Sequence, residues 1–295
     1  MSFLHAIIIG LVQGVTELFP ISSLGHSVLI PGWLHWHDRA LVQSASESPY
    51  LAFVVGLHVG TALALVAYFW KEWVRLIRAG FATLGKRRIE TPDERLIWLL
   101  FVATVPAGVT GVLLEHKFRT LFAKPMAAAV FLSVNALILF GGEVLRRRDE
   151  VRNLAVSHGS TTVDAARRLD TFEFKEAGVI GVAQVGALFA GISRSGITMV
   201  AGLLRGLDHE DAARFSFLLA TPIILAAGVY KLPDLSGHLG DGIRGQTLAG
   251  SVAAAAAAFA SVKFLMRYFE TRTLTPFAIY CAVAGVASMI RFGLF

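Results

Sequence analysis

Apolar residues fill six long, nearly unbroken stretches of the chain: about Tyr50–Trp70, Leu96–Leu114, Met126–Leu145, Phe215–Tyr230, Leu248–Met266 and Phe277–Leu294. Each approaches the roughly 20 residues that carry an α-helix across hydrocarbon, so each predicts a membrane-spanning helix. Two further apolar segments, Phe3–Ile30 and Phe174–Ala201, are interrupted by polar and small residues at Pro20–His26 and Gly191–Gly196. Non-helical backbone at membrane depth is tolerated only where it is buried in protein or lines a wet cavity. Each broken segment is therefore expected to be a re-entrant helix–loop–helix. The alanine run Ala253–Ala258 predicts a helix face that packs closely on a neighbour.

The two broken segments also match one another. At an offset of 171 residues, Gly10 meets Gly181, Gln13 meets Gln184, Ser22 meets Ser193 and Gly25 meets Gly196. Further on, at an offset of 151, Phe118 meets Phe269, Pro125 meets Pro276 and Ala127 meets Ala278. Apolar composition produces chance identities, so the Gln, Ser, Gly and Pro matches carry the argument. The expected fold is an all-α integral membrane domain of two repeats, about 1–145 and 172–295. A polar linker, about 146–171, joins them as a surface helix or unstructured chain. One re-entrant pair plus about three crossings per half gives the repeats inverted topology.

Composition agrees with this class. Hydrophobic residues make up 55% of the 295 positions and charged ones 16%, against about 25% charged in soluble domains. Mean hydropathy is +0.63. The net charge of +6 does not indicate nucleic acid, because the basic residues sit between apolar stretches. Sixteen Lys and Arg fall in 71–94, 146–175, 205–212 and 267–275, against five in 34–49, 116–124 and 232–246. By the positive-inside rule the first set is cytoplasmic and both termini face outward. Trp70, Trp73 and Trp98 would then mark the inner interface, and Trp33 and Trp36 the outer. Cys281 is the single cysteine, which excludes an intrachain disulfide or thiolate metal site. The first apolar stretch has no basic leader and contains Gln13 and Glu17, so it is expected to stay in the folded protein rather than be cleaved.

Chemistry concentrates in the two breaks. Gln13 and Glu17 are four residues apart and share a helix face. Glu17 lies ~21 Å along the first helix, where an unpaired carboxylate costs ~3 kcal/mol or more. It is either a protonated group bonded between helices or part of a reactive cluster. Arg194, inside Gly191-Ile-Ser-Arg-Ser-Gly196, stays charged and needs an anion or water. Its guanidinium beside Ser193 and Ser195, with Gly196 and Thr198 following, suits phosphate oxygens; a structural ion pair with Glu17 is the plainer alternative. Ser22, Ser23, Gly25 and His26 form the first break, where Ser23 and His26 could act as nucleophile and base with Glu17 orienting His26. His58 and Asn135 are expected to bridge helices. His35, His37, His116 and His158 are expected to be solvated. No cluster has metal-ligand spacing.

The stretch GLVQGVTELFPISSLGH, the motif GISRSG followed by Thr198, and FSFLLATP and PFAIY further on resemble the BacA-type undecaprenyl-diphosphate phosphatases over nearly the whole chain. The resemblance implies an inner-membrane hydrolase that converts undecaprenyl diphosphate to the monophosphate, recycling the carrier of peptidoglycan synthesis and conferring bacitracin resistance. It implies catalytic roles for Glu17, Ser23, His26 and Arg194, support from Gln13, and phosphate contacts from Ser22, Gly25, Ser193, Ser195, Gly196 and Thr198. It also implies stimulation by a divalent cation, Mg2+ or Ca2+, with Glu17 as the candidate ligand. Gln13 stands where the family carries Glu or Gln and cannot be an anionic ligand. Ala190 replaces a proline common before the second motif. The partners expected are a polyprenyl diphosphate and membrane lipid, reached from the periplasmic face, with a homodimer left open. Inverted repeats with broken helices also suit a transporter or flippase for an anionic prenyl lipid, because fold alone does not set function.

Overall fold

The computed structural model describes residues 1–36, 49–122, 124–156, 171–237 and 241–294, and the described residues are helical with short connections. His37 and His158, together with the side chain of His116, lie outside the described residues. The first broken segment forms α1 (Phe3–Thr16) and α2 (Ser23–Trp33), and the second forms α7 (Phe174–Val185) and α8 (Arg194–Leu203) with a 3-10 turn at Gly186–Leu188 between them. The breaks sit slightly earlier than the sequence suggested, because the helices restart at Ser23 and Arg194. Gly25, His26 and Gly196 are therefore helical. Among the described residues, five helices are long and apolar enough to cross a bilayer: α5 (Pro92–Phe122), α6 (Pro125–Val156), α9 (His209–Ser236), α10 (Arg244–Phe269) and α11 (Thr275–Leu294). Helices α3 (Pro49–Tyr68) and α4 (Trp70–Lys86) meet at 86° and, taken as one bent pair, make a sixth candidate.

Helix α4 occupies most of what sequence reading treats as a cytoplasmic loop. Its positions divide into three faces. Leu76 and Thr83 are buried against the protein, whereas Trp70, Val74, Ile77, Phe81 and Leu84 form an exposed apolar stripe. Lys71, Arg75 and Arg78 lie on the third face. Apolar residues at three- and four-residue spacing with a basic flank are the pattern of a helix lying in the interface plane. A search for long apolar runs passes over it. The polar linker is likewise shorter than expected, since α6 continues through Val156.

Close packing depends on small residues. Helix α1 lies on α10, and a Cβ on Gly10 would meet the Gly250 carbonyl oxygen; one on Gly14 would meet Ala254 and Ala257. The alanine run thus serves the packing role its composition predicts. Helix α7 lies on α5 in a related way, with Gly181 against the Ala103 backbone. Helices α6 and α11 pack together, as do α3 and α9, and α3 also packs on α10. The two loops meet at the centre of this frame, where Gly191 donates from its backbone N to Ser22 Oγ at 3.1 Å.

Candidate active site

Both broken segments restart with the same cap. Ser22 Oγ accepts from Gly25 N at 3.2 Å and Ser193 Oγ from Gly196 N at 3.1 Å, so each serine satisfies a free N–H at the first turn of α2 or α8. These are the residues paired by the 171-residue offset. Gly191 has φ +114, and a Cβ there would fall against Ala128 and Leu132, so the position demands glycine. Ser22 holds φ 70 without that freedom, a conformation kept by surrounding bonds. Asn135 of α6 clamps the two loops. Its amide donates to Pro20 O at 3.0 Å while its carbonyl oxygen accepts from Ser193 N at 3.0 Å.

Glu17, at the end of α1, is the hub of the site and is 7% exposed. Its Oε1 accepts from Arg194 Nη2 at 2.6 Å. Its Oε2 accepts from Ser23 Oγ at 2.5 Å and from Gln13 Nε2 at 3.0 Å, and faces His58 Nε2 at 3.2 Å. Gln13, Glu17, Ser23 and Arg194 are therefore brought together from opposite halves of the chain. The other terminal guanidinium nitrogen, Arg194 Nη1, is buried without a protein partner. A buried cationic donor left without a partner is suited to an anion.

His26 departs from expectation. Glu17 does not orient it, and Ser23 donates its hydrogen bond to Glu17 rather than to the imidazole. His26 Nδ1 lies 2.7 Å from Ser22 O and Nε2 lies 2.7 Å from Tyr280 Oη on α11. The physical reason is that both ring nitrogens are already engaged, Nδ1 by the Ser22 carbonyl and Nε2 by the Tyr280 hydroxyl, which leaves neither for Ser23 or Glu17. His58 bridges α3 to the end of α1 as expected, and because its partner is Glu17 it also lies inside the site. Asn135 bridges two elements as expected. Exposed His35 meets Arg291 Nη2 at 2.5 Å. Thr198 Oγ1 bonds Arg194 O, Ser195 O and Ser216 Oγ, and Ser195 Oγ bonds Phe19 O and Ser193 Oγ. These buried hydroxyls shape the loop, and contact between them and phosphate would require exchange of those bonds.

A divalent cation does not fit the donor set. The carboxylate of Glu17 already faces four donor groups, Gln13 turns its NH2 toward it, and among the described residues no group of three or more His, Cys, Asp or Glu could hold a metal ion. The cleft between α1 and α2 beside Gln13, Ser23 and His26 is lined by Ile8, Val12 and Ile30 and holds about 10 Å³, roughly one water.

The profile of the bacitracin resistance protein BacA family matches residues 6–287. The chain is 56% identical to an undecaprenyl-diphosphatase of Mycobacterium avium, with 100% of this chain and 98% of the relative aligned. It is 53% identical to undecaprenyl-diphosphatase 2 of Frankia alni, covering 100% and 99%, and 44% identical to undecaprenyl-diphosphatase 2 of Chromobacterium violaceum, covering 98% and 99%. With the motif residues gathered in one buried cluster and similarity running end to end, the chain belongs to the BacA family.

Proposed function

We propose that this multi-pass membrane protein hydrolyses undecaprenyl diphosphate to undecaprenyl phosphate and inorganic phosphate. The observation that carries the reading is the buried, unpartnered Nη1 of Arg194 in a cluster that also holds a serine hydroxyl bonded to a carboxylate. Phosphoryl transfer rests on positioning and charge stabilisation. Arg194, with the N-termini of α2 and α8, neutralises the terminal phosphate. Ser23 Oγ attacks the terminal phosphorus and passes its proton to Glu17, and the prenyl monophosphate leaves. Water then cleaves the phosphoserine, releasing inorganic phosphate and returning the serine proton. Gln13 and His58 hold Glu17 in place.

The substrate headgroup needs more room than the cleft offers, so α1 and α2 part laterally to admit it from the lipid. The architecture that supports this is a pair of inverted repeats, each a re-entrant pair plus three crossings. Matching serine caps, matching glycine contacts of α1 and α7, and the pairing of α6 with α11 and α3 with α9 all support it. The first pair opens outward.

Arg194→Ala should lower phosphate release from undecaprenyl diphosphate in detergent by at least ~10³-fold while the protein remains monodisperse. Turnover near the unaltered rate would rule out the clamp. Transport of the lipid by purified protein without phosphate release would instead make it a carrier.

A further inference from the structure

Hydrogen-bond polarity fixes the tautomer of His26. Ser22 O can only accept, so the ring nitrogen 2.7 Å from it, Nδ1, carries the hydrogen. In the neutral ring Nε2 then holds the sole lone pair, and the atom 2.7 Å from it is Tyr280 Oη, which must donate. The chain of donation therefore runs from Tyr280 to His26 to Ser22. The two rings also stack, with centroids 5.7 Å apart and planes 14° apart.

Tyr280 is firmly placed. Its neighbour Cys281 is fully buried on the loop, with Sγ 3.3 Å from Asn135 Nδ2 and 3.9 Å from Pro20 O. One turn further along α11, Gly285 lies against Ala129 and Ser133 of α6. The same residues that clamp the two loops thus anchor the segment bearing the phenol. The arrangement is asymmetric between the halves: by the two offsets, His26 corresponds to Ile197 and Tyr280 to Ala129. One half supplies the imidazole and the other its orienting hydroxyl.

We infer that Tyr280 is a positioning residue for the hydrolysis: with the Nδ1–H tautomer of His26 set by Ser22 O, the Tyr280 hydroxyl holds the ring so that its Nε2 lone pair is directed to the α11 side of the site. This goes beyond the roles assigned above, because Ser23 is served by Glu17 and no other residue bonds Nε2. His26 then exchanges protons only at Nε2, with a group that joins or displaces the Tyr280 hydroxyl. A proton taken up there forms the imidazolium and leaves by the same atom, and the Tyr280 O–H bond stays intact. The attacking water is the group whose proton this position suits.

The test compares Tyr280→Phe, which keeps the ring and loses the hydroxyl, with Tyr280→Leu, which loses both. On undecaprenyl diphosphate, Tyr280→Phe should lose about tenfold in kcat with KM within twofold. In detergent-solubilised protein labelled with 15N-histidine, the His26 signals (assigned by their loss in His26→Gln) should show the Nδ1–H form. In Tyr280→Phe the Nδ1–H form should persist, because Ser22 O still accepts, and the Nε2 signal should shift as its lone pair loses the donated hydrogen bond. Packing alone as the role of Tyr280 would leave Tyr280→Phe with unaltered kcat and an unmoved spectrum while Tyr280→Leu fell, and that outcome overturns the inference. An Nε2–H tautomer in the unsubstituted protein overturns it whatever the variants do.

Discussion

At the scale of single residues, the site turns on what surrounds one carboxylate. Glu17 is held by Arg194, Ser23 and Gln13 and also faces His58, whose Nδ1 lies 2.8 Å from the Val54 carbonyl and whose Nε2 lies 3.2 Å from Glu17 Oε2. Both ring nitrogens thus face acceptors, an arrangement suited to an imidazolium beside the carboxylate. A hydrogen bond to a charged group is worth about 1.5–3 kcal/mol. His58→Ala should accordingly lower kcat/KM by roughly 10- to 100-fold, more than a helix-bridging histidine remote from the reaction would. Phosphate-release kinetics decide this, and a loss below twofold would return His58 to a bridging role. Its part was not legible in the sequence. Glu17 and Arg194 stand out as charges in apolar surroundings, but His58 is 41 residues from Glu17. Nothing in the periodicity of α3 says which of its faces meets α1. Tyr280 is hidden for the same reason, since a tyrosine near a helix start reads as an interfacial anchor.

Helices in this protein meet through small residues and buried polar staples, because lipid gives apolar side chains no reason to prefer protein. Glu143 of α6 is one staple, 2% exposed. Its Oε1 accepts from His209 Nε2 at 2.6 Å and from Leu274 N at 2.7 Å, joining α6 to the start of α9 and the turn into α11. Arg146 donates to His209 Nδ1 at 3.2 Å, so that nitrogen accepts and Nε2 carries the hydrogen that Glu143 receives. Glu143→Ala strands both donors and should cost about 2–4 kcal/mol. The thermal midpoint in detergent should fall by roughly 5–10 °C, with the surviving fraction retaining its turnover. An unchanged midpoint would mean the staple is idle. Glycines sort by what they face. Gly10→Ala drives a methyl into the Gly250 backbone and should destabilise by ~1–3 kcal/mol, whereas Gly108 has nothing within 4 Å of an added Cβ. Gly108→Ala should be neutral or stabilise by up to ~1 kcal/mol. The Ala253–Ala258 run announced this packing, but α4 was lost because its apolar residues come in a stripe rather than a run.

For the molecule as a whole, the question is which ends of the helices share a membrane face. Contacts sort them into two groups. Phe3 lies beside Gly245 at the start of α10, and Trp33 at the end of α2 bonds Ser288 and stacks edge-on against Phe292 at the end of α11. Arg95 at the start of α5 bonds the Phe172 carbonyl before α7, and His209 after α8 reaches Glu143, near the end of the membrane-length part of α6 (Pro125–Asp149). If α10 and α11 are successive crossings, both ends of the first broken segment lie on one face and both ends of the second lie on the other. By the positive-inside rule, the excess of Lys and Arg would place the second face in the cytoplasm. Single cysteines at Leu34 and Asp241 should therefore react with an impermeant maleimide in intact cells. Cysteines at Arg88 and Arg272 should react only after permeabilisation. Cys281 is fully buried and needs only a Cys281→Ser background to remove it. Complete reversal of the four results would invert the orientation and place substrate entry on the cytoplasmic side while leaving the re-entrant pairs intact. Labelling of Leu34 and Asp241 from opposite faces would instead break the re-entrant pair. Glu17 would then lie on an ordinary crossing helix, and its meeting with Arg194 at the centre of the bilayer would lose its topological basis.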